Sequence, residues 1–196
     1  YYALFDGQAV PDLVRLNSDG SLDPTFDVGR GPSDLGEVVA VQPDGKVLVV
    51  GSFTTFNGSP RNRIARLNAD GTLDTSFNVL TGANGVITQV VAQPDGKVVV
   101  CGSFTSYDGI ARNRIARLQQ DGSLDNTFDP GTGANDVVSA MVLQPDGKLI
   151  IGGSFASYNG TGRPRLARVN DNGALDVGFV SGAGPNSYVE EMLLEP

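Results

Sequence analysis

The pentapeptide Gln-Pro-Asp-Gly-Lys stands at positions 42–46 and returns at 93–97 and 144–148, 51 residues apart each time. A fixed period of this length is the sign of a repeat architecture, in which each unit is one supersecondary element that cannot bury its apolar surface alone. Shifting the chain by 51 aligns it on itself without a gap. Gly20, Gly71, Gly122 and Gly173 coincide, as do Phe26, Phe77, Phe128 and Phe179. Units 42–92 and 93–143 are identical at 30 of 51 positions, so neighbouring units must share one backbone. The array reads as 1–41 (a unit entered late), 42–92, 93–143 and 144–194, in one continuous domain with no linker.

Within a unit the strand and turn signals alternate. In the third, 86–92 is rich in β-formers and reads as strand A. Gln93-Pro94-Asp95-Gly96 turns the chain: Pro pre-sets φ, Asp bonds its own backbone, and Gly takes the positive φ. Strand B, 97–104, carries an unbroken apolar run through Val98, Val99, Val100 and Cys101, the pattern of a strand buried on both faces. Asp108-Gly109 is a hairpin pair, 114–119 reads as strand C, Asp121-Gly122 turns again, and 124–128 approaches a short strand D. No window sustains a 3.6-residue period, so little or no helix is expected. Four antiparallel strands per tandem unit predict an all-β array of propeller-type blades, each covered on both sides by its neighbours. A β-solenoid is the alternative, but its parallel coils sit poorly with so many hairpin turns.

The linked motifs V-x-x-V-x-x-QPDGK-V-x-V-x-GSF and NRIARLN-x-DG-x-LD-x-x-F resemble the delta-60 repeat family of bacterial proteins, across essentially the whole chain. The resemblance implies a tandem-repeat β-propeller in large surface-exposed or secreted bacterial proteins, and no defined enzymatic activity. The first unit departs from the pattern: Val10-Pro11-Asp12 stands where the next has Arg61-Asn62-Arg63.

Composition narrows the chemistry. The net charge of −8 argues against nucleic acid as the main partner and against anionic lipid. All three lysines lie in QPDGK copies and ten of eleven arginines at repeated positions, so the basic residues belong to the scaffold. There is no histidine, which leaves a His-based triad or zinc cluster without its usual members. Cys101 occupies a strand B position and reads as a small buried apolar residue. No membrane-length apolar run, cofactor motif or signal peptide is present.

Counting from Arg66, the residues Arg66, Asn68, Asp70, Gly71 and Asp74 sit where a DxDxDGxxD calcium loop has its first, third, fifth, sixth and ninth positions. The first position is Arg in every unit. Arg15, Arg66, Arg117 and Arg168 are therefore expected to pair with Asp23, Asp74, Asp125 and Asp176 as an internal substitute for the ion; a plain Asp-Gly turn with a solvated Arg, or real metal binding, are the alternatives. The same segment loosely resembles the Asp-box of sialidase propellers, a structural feature that lends no support to glycosidase chemistry. Acids outside the repeated positions are Asp34, Glu37, Asp136, Glu190 and Glu191; paired carboxylates could serve a glycosidase, whereas surface acids on an acidic protein are the plainer reading. Phe5, Phe56, Tyr107 and Tyr158 precede a turn and suit either blade packing or sugar stacking.

In propeller geometry the A–B and C–D turns share one face and the B–C and D–A loops the other. QPDGK and DG-x-LD, nearly invariant between units, lie on the first. The second varies, at 8–12, 59–63, 110–114 and 161–165 and at 30–36, 81–85, 132–136 and 183–187. The candidate binding face is thus Arg61, Asn62, Arg63, Arg112, Asn113, Arg114, Arg163, Arg165, Asn84, Asn135 and Asp136. The expected role is a non-enzymatic recognition or adhesion module of an extracellular or cell-surface bacterial protein, with a protein or glycan ligand. A structural spacer is the alternative, and a polysaccharide-active enzyme a weaker one. A four-unit ring would lack the counterpart of residues 44–51, so further repeats or another chain are expected to complete the array.

Overall fold

A computed structural model describes residues 3–34 and 36–195, without the side chains of Ala3 and Glu37. Tyr2, aligned by the repeat with Phe53, and the Glu37 carboxylate lie outside the described residues. All regular structure described is β. A hairpin, β1 (Ala3–Phe5) and β2 (Gln8–Val10), comes first. Five strands follow: β3 (Gly36–Val41), β4 (Val47–Gly51), β5 (Thr55–Phe56), β6 (Ser59–Pro60) and β7 (Ile64–Leu67). The set recurs as β8 (Ile87–Ala92), β9 (Val98–Gly102), β10 (Ser106–Tyr107), β11 (Ile110–Ala111) and β12 (Ile115–Leu118). It recurs once more as β13 (Val138–Leu143), β14 (Leu149–Gly153), β15 (Ser157–Tyr158), β16 (Thr161–Gly162) and β17 (Leu166–Val169).

Each set folds into an antiparallel sheet of strands A, B and C in spatial order, β3-β4-β7, β8-β9-β12 and β13-β14-β17. The A–B turn is built as its residues dictate: Gln93 N–H donates to Lys97 O at 2.8 Å, Gly96 N–H to Gln93 O at 3.0 Å, and Gly96 takes φ +82°. Between B and C each unit inserts a small separate hairpin, so strand B ends at Gly102 rather than running to Phe104. The hairpin turns on Asp108 and Gly109, both at positive φ (49° and 76°), the requirement of a type I′ turn.

The fourth segment joins each sheet through a single bridge, Leu67 to Leu73, Leu118 to Leu124 and Val169 to Leu175. It goes no further because the next residue is Asp. Asp125 Oδ1 accepts from Thr127 N–H (2.9 Å) and Oγ1 (2.7 Å), and Phe128 N–H donates to Asp125 O at 3.2 Å. These local bonds turn the backbone where a strand would continue. Residues 189–194, the sequence counterpart of β3, β8 and β13, form no strand; those three each pair with the strand B that follows them, and no such strand lies beside 189–194 among the described residues.

Burial explains the unbroken apolar run of strand B. Val98 and Val100 pack against Leu48, Val50 and Ile64 of the preceding sheet, while Val99 and Cys101 pack against Met141, Leu149 and Ile151 of the following one. Side chains alternate across a pleated strand, so a strand covered on both faces is apolar at every position. β3, β8 and β13 also approach one another in succession, which places strand A on the inner side of the array. Each sheet bears a bulge at the same place, opposite strand B, at Glu37, Thr88 and Ser139.

Candidate binding face

The two loop faces are built differently. On the A–B and C–D face, Arg66 Nε donates to Asp74 Oδ2 at 2.8 Å, and Lys46 Nζ reaches the same oxygen at 2.9 Å. The next unit repeats this with Arg117, Lys97 and Asp125 at 2.8 and 3.1 Å, and the last with Arg168, Lys148 and Asp176 at 2.9 and 2.7 Å. In the first unit Arg15 Nε meets Asp23 Oδ2 at 2.8 Å. The remaining guanidinium nitrogen stitches units together: Nη1 of Arg15, Arg66 and Arg117 donates to the carbonyls of Ala69, Gln120 and Asp171 in the unit that follows. Each guanidinium also lies over the Phe eleven residues on, 4.6 to 5.2 Å from the ring centroid, a cation–π contact. Neither the lysine partner nor the ring contact follows from the loop spacing, because the lysine comes from the A–B turn and the ring from beyond the C–D turn, and only the folded unit brings them to the arginine and aspartate.

The charge states follow from these contacts. Burial pushes the Asp74 carboxyl up, but hydrogen bonds from Lys46, Ser76 and Arg66 outweigh it and hold the group well below the usual carboxylate range. Asp125 is similar, with Thr127, Lys97 and Arg117 overcoming burial. Asp176 is held at about 2, chiefly by Lys148, and Asp23 at about 2, chiefly by the Thr25 hydroxyl. The neighbouring Asp70 does not converge on this cluster; its Oδ1 caps Thr72 N–H and Oγ1 at 3.0 and 2.7 Å. Gln42, whose buried Oε1 has no hydrogen-bond partner among the described residues, lines a cavity of about 320 Å³ between consecutive A–B turns; its basic walls, Lys46 and Arg66, already serve Asp74.

On the other face the D–A loops of the second and third units are each clamped between two B–C segments. Asn62 Nδ2 donates to Thr81 O at 2.7 Å and Arg63 Nη1 to Ala83 O at 3.3 Å within the unit. Toward the next unit, Asn84 Oδ1 accepts from Thr105 and Ser106 N–H at 2.8 and 3.0 Å, and Asp108 Oδ1 accepts from Thr81 and Gly82 N–H. Asn113 and Asn135 repeat this one unit on, bonding Thr132 O and the Ala156 and Ser157 N–H groups. The structure thus brings the loop residues into one continuous surface, but commits the side-chain amides of Asn62, Asn84, Asn113 and Asn135 to holding it together. Exposed Asp136 accepts from Val137 N–H at 2.7 Å.

The arginines of this face differ. Arg61, Arg112 and Arg163 donate Nη1 to the carbonyl just before them, at 2.7 to 2.9 Å. Arg63, Arg114 and Arg165 stand at positive φ, 66°, 69° and 63°, a conformation uncommon outside Gly, Asn and Asp. In Arg-Pro-Arg (163–165), Pro replaces the Asn62 and Asn113 of the two preceding units and the positive φ persists. The sequence signal for these three was the repeated Arg-x-Arg; its left-handed backbone was not legible.

Three of the four aromatic residues that precede the hairpin turn are packing residues; the fourth, Phe5, is half-buried. Phe56, Tyr107 and Tyr158 are fully buried, and the Tyr158 hydroxyl donates to Gly173 O at 2.8 Å, which removes them as sugar-stacking platforms. Glu190 and Glu191 are exposed near the C-terminal end of the described residues.

A family model described as "Domain of unknown function (DUF5122) beta-propeller" matches residues 2–26, 42–77, 93–128 and 144–179, more than half of the chain. No curated protein matches the chain. Matches among solved structures include the WD40 β-propeller domain of Doa1, at 18% identity and a TM-score of 0.54, covering 81% of this chain. The likeness is one of fold, and the chain spans 44% of that structure's length.

Proposed function

The chain belongs to the DUF5122 β-propeller family, and on that premise we propose that it is a non-enzymatic recognition module of a bacterial extracellular or surface protein. Protein or glycan would be bound through the B–C and D–A loops. The observation that carries this reading is the clamp of the 81–85 and 132–136 loops between successive B–C segments, which ties segments that vary between units into one rigid surface. Rigid scaffolds presenting varied loops are the usual setting of recognition. The motif resemblance to delta-60 repeats supports the bacterial surface setting. Binding to a glycan array and to candidate surface proteins tests it: grafting the 110–114 and 132–136 loops onto every unit should abolish binding and leave folding intact, and retained binding would overturn the reading.

A structural spacer is the second reading. It is favoured by the unit-to-unit stitch, in which Arg66 and Arg117 each bond the following unit. A chain that binds nothing on such arrays yet lends length and stiffness to a longer protein would support it. Catalysis on polysaccharide is the weakest reading; turnover lost on Glu190→Gln or Asp136→Asn would favour it.

A further inference from the structure

The cations of this chain divide sharply between its two faces. On the A–B and C–D face all three lysines and Arg15, Arg66, Arg117 and Arg168 contact an aspartate within 4.0 Å. On the opposite face, Arg61, Arg63, Arg112, Arg114, Arg163 and Arg165 form no salt bridge among the described residues. Their hydrogen bonds run to neutral oxygens: the carbonyls of Pro60, Ala83, Ser103, Phe104, Ala111, Gly162, Val177 and Pro185, with Asn126 Oδ1 as a further acceptor for Arg112. Carbonyls orient a guanidinium without neutralising it. A protein of net charge −8 therefore keeps six arginines outside any salt bridge on one loop face, two in each unit but the first, beside Asp34, Asp108 and Asp136 of the same face, and it places one arginine of each pair on a backbone of unfavourable φ.

We propose that this face binds an acidic polysaccharide, its carboxylate or sulfate groups bridging the arginines of successive units. The proposal rests on the recognition reading above and supplies its ligand class. The guanidinium fork matches such oxyanions and forms charge-assisted hydrogen bonds to them. An arginine pair repeated every 51 residues through the last three units suits a ligand whose charge also repeats. A protein ligand fits less well, because protein interfaces centre on exposed aromatic and apolar anchors. Here Phe56, Tyr107 and Tyr158 are buried, and among the described residues in and beside these loops the exposed large apolar side chains are Leu80, Ile110 and Tyr188. Single-stranded nucleic acid would want aromatic stacking platforms, and nucleic acid in general a basic domain.

The test measures affinity of the full chain for polygalacturonate, dextran sulfate, neutral dextran and duplex DNA across a salt series. Binding to at least one of the acidic polysaccharides, and not to dextran, is expected. The triple variant Arg61→Gln, Arg112→Gln, Arg163→Gln, with an unchanged thermal melt, should bind at least about tenfold more weakly. Its slope of log affinity on log salt should be shallower by about two to three, one for each lost contact. The matching Arg→Lys triple should keep most of that slope, and it carries the test if the Gln variant does not fold. Wild-type affinity in the Gln variant, no binding to either acidic polysaccharide, or tighter binding to DNA would overturn the proposal. Loop-dependent binding of a neutral glycan or a protein would overturn it while leaving the recognition reading standing; loss of all loop-dependent binding would sink both.

Discussion

Asp125 has no exposed surface, yet it gathers Arg117, Lys97 and Thr127 around one carboxylate. Removing a partner from a buried ion cluster leaves the rest uncompensated, which costs more than the cluster contributes over an apolar replacement. Asp125→Ala should therefore destabilise the protein by about 3 kcal/mol or more in urea unfolding. Asp23→Ala, at a half-exposed site where solvent screens the charge, should have a far smaller effect; equal effects would contradict the role of burial. Cys101 makes a second residue-scale case. Burial pushes its thiol up to about 12, so it should resist thiol reagents in the folded protein and react fully in denaturant. Fast labelling of folded protein would show that β9 is not sealed between its neighbours.

At the scale of elements, strand B needs glycine at its end for reasons of space. A Cβ on Gly102 would overlap Val86 O, and one on Gly153 would overlap Val137 O, at the bulge where strand A meets strand B. Gly102→Ala should cost about 1–3 kcal/mol, whereas Gly162→Ala, with open space around it, should change little; circular-dichroism melts of the pair would decide. The C–D turn is tight for two reasons. Gly122 takes φ +88°, and a Cβ there would press on the Asn78 backbone of the preceding unit, beside the Asn78 N–H to Asp121 O bond of 2.7 Å. The short fourth segment thus acts as an inter-unit tie as much as a strand.

For the whole molecule, acid sensitivity follows from the aspartate layer. Carboxyls held below their unfolded value of 3.8 contribute stability that is fully present above that value and is lost as pH falls through the folded value. With Asp23 and Asp176 at about 2 and Asp74 and Asp125 also lowered, the melting temperature should fall between about pH 4 and pH 2. The chain has no histidine, so a steep dependence between pH 5 and 7 would count against this layer as the main acid-labile element. Position in the array also matters. Phe77 and Phe128 are fully buried, while Phe26 and Phe179 of the outer units are only half-buried. Phe128→Ala should then cost about 3–5 kcal/mol and Phe179→Ala distinctly less, read from denaturation midpoints.

Much of this was legible from the chain alone. The 51-residue period, the QPDGK and Asp-Gly turns and the doubly buried strand B are local facts: turn residues state their own backbone, and a strand apolar at every position states that both faces are covered. Such facts determined an all-β blade array and separated a repeated face from a varied one. What only the tertiary structure decided depends on residues far apart in sequence that meet only in the folded unit or between units. Lys46 finds Asp74 across 28 positions, and Arg66 finds the carbonyl of Gln120 across 54. Asn84 and Asn135, open to a ligand on spacing alone, turn inward to clamp the next hairpin. Arg61, Arg63, Arg112, Arg114, Arg163 and Arg165 of the same loops form no salt bridge among the described residues, whereas the arginines of the opposite face do, a difference invisible in a formal charge of −8 because it depends on which side chains the fold brings together.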